Sequence, residues 1–254
     1  MKIERIKDLP KLSRIAWSQS GREVKRKVNK LGYELKNYID TKDCLTGWLV
    51  ENELGQILVF QDTKNPFIYK MKGIKDWITN FKCSPFDSMI GQVHGGYWNL
   101  IYNNYDEVAK RITDTNLICT GFSQGGGIAE LTAGLLNTEM GLNATFFNID
   151  GPAIRTDKGY NNGYYLVNST SIVPRLPLEA MGFKHMGDLL YFTWRGKFFY
   201  NPKRIVRRLD YIAGTAQNIK EITERRFAYE YFEHNIIEIE EFWNKNINKI
   251  ERVI

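Results

Sequence analysis

The stretch Gly121–Gly125, "GFSQG", constrains the fold most strongly, because it places a serine between two glycines where a strand-like run meets a helical pattern. Leu117, Ile118 and Cys119 form the apolar run of a predicted strand at 116–120, and residues 124–137 show spaced apolar positions typical of one helix face. A chain that turns this sharply from strand to helix strains the residue at the turn and leaves little room for side chains beside it. Gly126 and Gly127 are poor helix formers, so they predict a close approach by another part of the chain.

Around this turn, strand-like and helical segments alternate along the chain. The predicted segments are an N-terminal helical segment at 4–30, a β-hairpin at 44–63 with its turn at Asn52–Gly55, helices at 73–82 and 96–112, strands at 144–150 and 163–168, and mainly helix at 202–250. Strands separated by helices predict an α/β fold with a mostly parallel sheet flanked by helices. Without repeats or a low-complexity linker, we expect a single domain over residues 1–254.

Composition narrows the class of partner. With 43% hydrophobic residues and a net charge of +6, the chain can build a core and carries an excess of basic groups. Basic residues cluster at 21–30 and 201–208, but neither cluster matches a nucleic-acid-binding motif, so no nucleic acid partner is expected. The charge permits peripheral contact with an anionic membrane. The sequence leaves the oligomeric state open.

The N-terminal residues and the cysteines indicate the cellular compartment that we expect for the protein. The N-terminal residues are charged throughout and lack the apolar centre of a secretory signal, and no apolar run approaches the roughly 18 residues of a membrane span. Cys44, Cys83 and Cys119 are odd in number, lie far apart and fit no metal spacing. They indicate reduced thiols, and we expect a cytoplasmic protein.

The serine at the turn suggests chemistry. Gly121–Gly125 fits the G-x-S-x-G pattern, in which a serine on a strand-to-helix turn acts as a nucleophile. Ser123 is therefore the candidate nucleophile, and the backbone N–H of Gln124, at the start of the helix, is a candidate donor to an oxyanion. The alternative is a glycine-rich turn that has no catalytic role or binds phosphate.

Other segments resemble the class 3 lipase family of α/β-hydrolases, in the family's order over residues 45–195. They are "ILVFQDT" (57–63), "IKDWITNF" (74–81), "VHGGYWNLIY" (93–102) and "YYLVNSTSIVPRLPLEAMGFKHMGDLLYF" (164–192). The resemblance implies an α/β-hydrolase fold and the hydrolysis of carboxylic esters of lipids, without a metal or organic cofactor. It also implies that Thr63 donates the second hydrogen bond of the oxyanion hole. The arginine-glycine pair that the family carries before this position is Gln61-Asp62 here, which places a carboxylate near that hole.

The catalytic acid departs from the family's pattern. Where the family has the aspartate of its triad, this chain has Ser171, and a serine hydroxyl cannot carry the charge that stabilises an imidazolium. Asp150 follows the next strand after the serine's helix, as the acid does in the similar vertebrate pancreatic-type lipases. We therefore take Asp150 as the candidate acid, with a turn-capping aspartate before Gly151-Pro152 as the alternative.

A serine nucleophile needs a histidine base, and the chain has three histidines. His94 and His185 match structural or site-flanking positions of the family, whereas His234 lies on the C-terminal side where the family keeps its base. His234 is therefore the candidate base, and a surface histidine beside Glu233 and Glu238 is the alternative reading.

Two functions remain open from the sequence. The first is a serine hydrolase, and the second is an inactive lipase-like scaffold that binds a protein or lipid, which Ser171 and Asp62 favour. The aromatic-rich stretch 178–200 fits an acyl-binding wall, a lid or plain core, of which core is the commonest.

Overall fold

The computed structural model describes residues 3–16, 21–42, 45–62, 84–156, 162–171, 173–177, 181–224 and 228–254, with the side chains of residues 3 and 215–235 outside that description. Within these ranges the helices are α1 (Ile3–Ile6), α2 (Leu9–Ile15), α3 (Gly21–Lys30), α4 (Gly95–Tyr102), α5 (Tyr105–Ala109), α6 (Gln124–Met140), α7 (Arg204–Glu224) and α8 (Ala228–Glu251). The strands are β1 (Glu34–Asp40), β2 (Thr46–Asn52), β3 (Gly55–Phe60), β4 (Pro85–Ser88), β5 (Gly91–His94), β6 (Ile118–Phe122), β7 (Thr145–Ile149), β8 (Gly163–Asn168), β9 (Asp188–Phe192) and β10 (Phe198–Tyr200).

Eight strands form one mixed sheet in the order β1-β2-β3-β6-β7-β8-β9-β10, and β4 and β5 form a separate antiparallel hairpin. The central strands from β3 to β9 are parallel to their neighbours, whereas β1, β2 and β10 add antiparallel edges. The mostly parallel α/β sheet is therefore confirmed. Because parallel strands end at the same edge, β6, β7 and β8 deliver the segments that follow them to one place.

Helices cover both faces of the sheet. On one face, Leu131 and Leu135 of α6 belong to a buried cluster with Trp98 of α4. On the other, Leu9 of α2 and Trp243 of α8 pack in a second cluster against the sheet. The indole Nε1 of Trp243 also donates a 3.1 Å hydrogen bond to the carbonyl of Lys7, which ties the last helix to the first ones. Among the described helices, none has the length and apolar character needed to cross a bilayer.

The hairpin β2–β3 forms where the turn residues predict it. Gly55 has a φ of 121°, a backbone conformation that side chains other than hydrogen rarely allow. The side chain of Asn52 accepts a 2.9 Å hydrogen bond from the N–H of Leu54 and so closes the turn. The predicted turn chemistry is confirmed.

Several predicted boundaries are corrected. The single helix expected over 96–112 is two helices, because Asn104 turns its side-chain amide back to the carbonyl of Leu100 at 2.7 Å between them. The N-terminal segment holds three short helices, and α6 continues to Met140, where Gly141 in a left-handed conformation ends it. The sequence did not predict β1, the β4–β5 hairpin, β9 or β10, and the predicted helix at 73–82 lies outside the described residues.

The aromatic-rich stretch 178–200 is core in its central part. Leu190, Tyr191 and Phe192 of β9 are buried in the sheet, as the core interpretation expects. Phe199 and Tyr200 on the edge strand β10 are exposed instead.

Candidate active site

Ser123 lies at the sharp turn between β6 and α6. Its φ of 53° and ψ of −124° place a non-glycine residue in a strained region of backbone space. Its N–H donates a hydrogen bond to the carbonyl of Ile149 at 2.9 Å, and its own carbonyl accepts one from the N–H of Gly126 at 3.0 Å. These two hydrogen bonds hold the strained backbone conformation of Ser123. The residue is partly exposed. The turn therefore presents a hydroxyl at the carboxyl edge of the sheet.

The glycines around Ser123 are required by close packing. A Cβ on Gly121 would lie 2.4 Å from the carbonyl carbon of Gly125, and a Cβ on Gly125 would lie 2.6 Å from the carbonyl oxygen of Phe60. A Cβ on Gly126 would lie 2.4 Å from Oδ1 of Asn148. The close approach predicted at Gly126 is thus present, whereas a Cβ on Gly127 would meet only side-chain atoms, the nearest at 3.1 Å. The contact at Gly125 holds the end of β3 against the serine turn.

Asp150 lies beside Ser123 at the end of the neighbouring strand. The parallel register pairs Phe122 with Ile149, so the residues that follow each of them meet at the same edge. Asp150 also has a positive φ, 52°, and only 1% of it is exposed. Its Oδ1 accepts a 3.1 Å hydrogen bond from the N–H of Asn168 at the end of β8. A buried carboxyl is therefore held at the end of the strand next to the one that leads to the candidate nucleophile.

The electrostatics of Asp150 are those of a buried acid with partial compensation. Burial raises its pKa to about 7. Hydrogen bonds from the Ser171 hydroxyl and the N–H of Asn168, together with the positive charge of Arg175, act in the opposite direction and lower the pKa. The charge of Glu238 raises the pKa further. The carboxyl group thus changes its charge near neutral pH.

The contact between Asp150 and Ser171 brings together the two positions that the sequence offered for the acid. Ser171 follows β8, is 3% exposed, and directs its hydroxyl to the Asp150 carboxyl. The sequence did not predict this contact, although both residues follow strands of one parallel sheet. The carboxyl of Asp150 consequently lies beside the place where the resemblance puts the family's acid.

The candidate base is placed by its helix alone. His234 lies within α8, and its side chain is outside the described residues. Glu238, four residues further along α8, accepts a 2.9 Å hydrogen bond at Oε2 from the side-chain amide of Asn168. The same Asn168 donates its N–H to Asp150. Position 238 of α8 therefore reaches the acid's immediate neighbour.

Of the two hydrogen-bond donors predicted for the oxyanion, the structure describes only Gln124. Gln124 is the first residue of α6, where an N–H has no partner within the helix, and it is partly exposed. Thr63 lies outside the described residues. The described chain just before Thr63 lies against the serine turn, because a Cβ added to Gly125 would be 3.1 Å from the carbonyl oxygen of Gln61. Asp62 is partly buried at this point.

The other two histidines hold structure. His94 is 1% exposed, caps α4 through a 3.5 Å hydrogen bond from the N–H of Tyr97 to its Nδ1, and meets the ring of Phe183. His185 donates from Nε2 to the carbonyl of Pro174 at 2.7 Å, and burial lowers its pKa to about 4. These contacts agree with the structural or site-flanking roles expected for both.

A buried polar cluster beneath the turn was not predicted. Glu130 of α6 is fully buried, and its Oε2 accepts from the amide of Asn148 at 3.2 Å, while Oδ1 of Asn148 accepts from the N–H of Gly151 at 2.9 Å. Burial raises the pKa of Glu130 to about 8, against the Asn148 hydrogen bond and the charge of buried Arg155. The cluster joins α6 to the residue after Asp150. Its sequence signal is a glutamate within the otherwise apolar face of residues 128–136.

Comparison with known proteins bears on the fold. No family model matches the sequence, and no curated protein is detectably similar to it. Solved structures do match. The Rhizomucor miehei lipase in its propeptide complex is 20% identical with a TM-score of 0.62, covering 78% of this chain and 70% of that one. This chain has a lipase fold.

Further solved structures agree. The mono- and diacylglycerol lipase of Aspergillus oryzae is 18% identical with a TM-score of 0.60, over 76% of this chain and 80% of that one. A triacylglycerol lipase described as having a serine protease triad is 19% identical with a TM-score of 0.56, over 75% and 80%. The lipase-like α/β-hydrolase fold predicted from the class 3 lipase resemblance is confirmed. Within the described ranges, no group of three or more His, Cys, Asp or Glu residues could hold a metal ion.

Proposed function

We propose that this chain is a serine hydrolase that cleaves carboxylic esters, with lipids as its substrates. The observation that carries the proposal is the pairing of a strained serine with a buried aspartate at the ends of adjacent strands. Ser123 and Asp150 both hold positive φ values, 53° and 52°, although neither is glycine. Such strain persists where the surrounding structure enforces it, and it clusters at functional sites.

In the proposed mechanism, the Oγ of Ser123 attacks the ester carbonyl while His234 takes its proton. The tetrahedral oxyanion accepts hydrogen bonds from the N–H groups of Gln124 and Thr63. His234 then gives the proton to the leaving alcohol as the carbonyl reforms, which produces an acyl-enzyme. Water, activated by the same histidine, releases the acid and restores Ser123, while Asp150 fixes the imidazole tautomer throughout.

The role of His234 is supported by the direction of helix α8. Residues four apart on a helix lie on the same face, so position 234 shares the face of Glu238. Glu238 contacts Asn168, whose N–H binds Asp150. The proposed pairing of His234 with Asp150 rests on this position one turn before Glu238.

The contact at Ser171 weakens the case for an inactive scaffold. That alternative depended on the loss of the family's acid at position 171. Asp150 supplies a carboxyl that is hydrogen-bonded to the hydroxyl at this position. Since a triad is defined by the geometry of its groups and not by their order in the chain, Asp150 can take the role.

The substrate class is proposed from the similar proteins together with the charge of this chain. The names of the matched structures include a mono- and diacylglycerol lipase and a triacylglycerol lipase. A net charge of +6 favours an approach to anionic lipid surfaces. Acylglycerols and anionic phospholipids are therefore the esters to test, in a series of acyl-chain lengths.

The decisive experiment is labelling with a fluorescent fluorophosphonate, which reacts covalently with an activated serine. We expect the wild type to label, Ser123→Ala to lose all label, and His234→Ala and Asp150→Asn to label much more slowly. Asp106→Asn, on an exposed position of α5, removes one carboxylate far from the turn and should label normally. No labelling of folded wild type, with and without detergent, would support the scaffold.

Two predictions from composition accompany this proposal. The cysteines favour a cytoplasmic location; Cys119 is a free, buried thiol, and Cys44 and Cys83 lie outside the described residues. Cell fractionation tests the location, and a gel-shift assay tests the expected lack of nucleic acid binding.

A further inference from the structure

The first half of α7 exposes an apolar stripe that the proposed chemistry does not use. Ile205, Leu209 and Ile212 are 58%, 61% and 64% exposed, and their spacing of four and three residues places them on one helix face. A helix at the surface of a globular protein normally turns such positions to the core. Three aligned large aliphatic side chains in water indicate a surface that binds something.

Basic residues lie beside this stripe. Lys203, Arg204 and Arg208 are all exposed, and Arg204 and Arg208, four residues apart on the helix, lie on the same side of the stripe. Asp210 is the one acidic residue between 203 and 214, and it accepts a 3.1 Å hydrogen bond from the hydroxyl of Tyr191 on β9. The exposed surface of the first half of α7 is therefore apolar along its centre and positively charged along one margin.

The side of α7 that carries Arg204 and Arg208 borders a cavity of about 280 Å³ over β8 and β9. No aspartate or glutamate of the described chain lines this cavity. Four arginines line it: Arg175, Arg204, Arg207 and Arg208. The buried Nε atoms of Arg175 and Arg207 have no hydrogen-bond partner in the described structure. The unpaired Nε donors of these two guanidinium groups, at a cavity lined by four arginines, suit an anion such as a phosphate monoester or diester.

Arg175 connects this cavity to the candidate active site. Its Nη2 donates to the carbonyl of Ser169 at 3.2 Å, and its guanidinium lies 3.6 Å from the ring centre of Tyr211 on α7. Its charge also acts on Asp150. The helix, the cavity and the end of β8 are therefore parts of one region of the molecule.

We propose that the first half of α7 docks on a bilayer that contains anionic phospholipids. Ile205, Leu209 and Ile212 enter the interface between headgroups and acyl chains, while Arg204 and Arg208 bind lipid phosphates. A bilayer offers apolar depth and a dense layer of phosphates together, which matches the order of groups on this helix. A second copy of the chain would bring arginines against arginines, and nucleic acid offers no apolar layer for the stripe.

Sedimentation with vesicles tests this surface without any hydrolysis. The Ser123→Ala chain is mixed with vesicles of phosphatidylcholine alone or of phosphatidylcholine with phosphatidylglycerol. We expect binding to the anionic vesicles, weaker binding at high salt, and little binding to the neutral ones. Because this readout needs no reactive serine, and fluorophosphonate labelling needs no vesicle, each proposal can fail without the other.

Paired variants separate the two parts of the surface. Arg204→Gln with Arg208→Gln removes two surface charges and should weaken vesicle binding about thirtyfold, at roughly one kcal/mol for each basic residue. Ile205→Gln with Leu209→Gln should weaken it at least about tenfold by removing apolar insertion. All four residues are exposed, so these variants should fold.

Matched controls lie elsewhere on the surface. Arg22→Gln with Lys25→Gln removes two exposed charges from α3, and Met140→Gln removes an apolar side chain that is 40% exposed at the end of α6. Each control should bind vesicles like its parent. Controls that bind as weakly as the α7 variants would show that net charge or general stickiness, and not this helix, causes binding.

Three other results would overturn the proposal. The first is equal binding to neutral and anionic vesicles. The second is that inorganic phosphate displaces the protein from vesicles while Ile205→Gln with Leu209→Gln leaves vesicle binding unchanged, which would make the cavity a site for a free anion. The third is a dimer in light scattering that these two substitutions dissolve, which would make the stripe an interface between copies of this chain.

Discussion

Replacing Asp150 by asparagine should make the protein more stable at neutral and alkaline pH while it removes activity. Asp150 is 1% exposed, and burial raises its pKa from 3.8 to about 7. The folded protein therefore holds a proton that the unfolded chain releases at lower pH. Asparagine keeps the shape of the side chain, can still accept from the N–H of Asn168, and tolerates a positive φ better than most residues.

The sign and size follow from linkage. A carboxyl whose pKa is raised on folding contributes its full stability below the unfolded value, and it loses that contribution as pH rises to the folded value. One pKa unit is about 1.4 kcal/mol, so the difference between 3.8 and about 7 corresponds to about 4 kcal/mol as an upper bound. The advantage of Asp150→Asn should be absent near pH 4, grow to about pH 7 and stay level above it.

Urea unfolding of both proteins at several pH values measures this difference, and Asp106→Asn controls for the loss of one carboxylate from an exposed site. The same samples are labelled with fluorophosphonate, and loss of the triad's acid is expected to slow the reaction by roughly 10⁴-fold. Parallel stability curves for wild type and Asp150→Asn would refute the reasoning that burial makes this charge costly. Normal labelling of the variant would remove Asp150 from the proposed triad.

Three further predictions concern the packing and charge around the turn. Gly125→Ala should lower the free energy of unfolding in urea by more than about 3 kcal/mol, because the added Cβ would lie 2.6 Å from the carbonyl oxygen of Phe60. Gly127→Ala should change it by less than about 1 kcal/mol, because the added Cβ would meet only side-chain atoms at 3.1 Å or more. Glu130→Gln should gain stability over wild type as pH rises from about 4.5 to about 8, the range between the unfolded and folded pKa values of this carboxyl, again measured in urea. The exchange Asp150→Ser with Ser171→Asp should keep part of the fluorophosphonate labelling that Asp150→Ser alone loses, since the two side chains are hydrogen-bonded neighbours.

Each of these predictions has a contrary outcome. Equal losses for the two alanine variants would show that the backbone around Gly125 can move. A pH-independent cost of Glu130→Gln would assign that residue to an ionised contact. A well-folded exchange variant that does not label would mean that the carboxyl must come from residue 150.

The features that the sequence predicted are those set by neighbours in the chain. The serine turn, the β2–β3 hairpin and the parallel sheet follow from glycine positions and apolar spacing within short windows. The edge strands β1 and β10 lack such a signal, since their pairing depends on the strands beside them. The single domain and the catalytic roles of Ser123, Gln124, Asp150, His234 and Thr63 stay predictions.

Contacts between distant segments were the harder part of the site. Asn148 touches both Glu130 and Gly151, and although a glutamate is unusual on the apolar helix face of residues 128–136, nothing in that stretch identifies its partners. The Asp150–Ser171 contact depends on how β7 and β8 are aligned, which no single segment specifies. The sequence could suggest that both residues reach the same edge, but it could not show that they touch.

That contact changes how an acid can be inherited at this site. Asp150 and Ser171 follow different strands, yet their side chains share one hydrogen bond. A carboxyl at this point in space can be supplied by either strand end, so a loss at one position can be compensated by a gain at the other while the fold is kept. A sequence profile with a fixed aspartate column after β8 rejects such a chain, whereas a comparison of where the carboxyl oxygens lie accepts it.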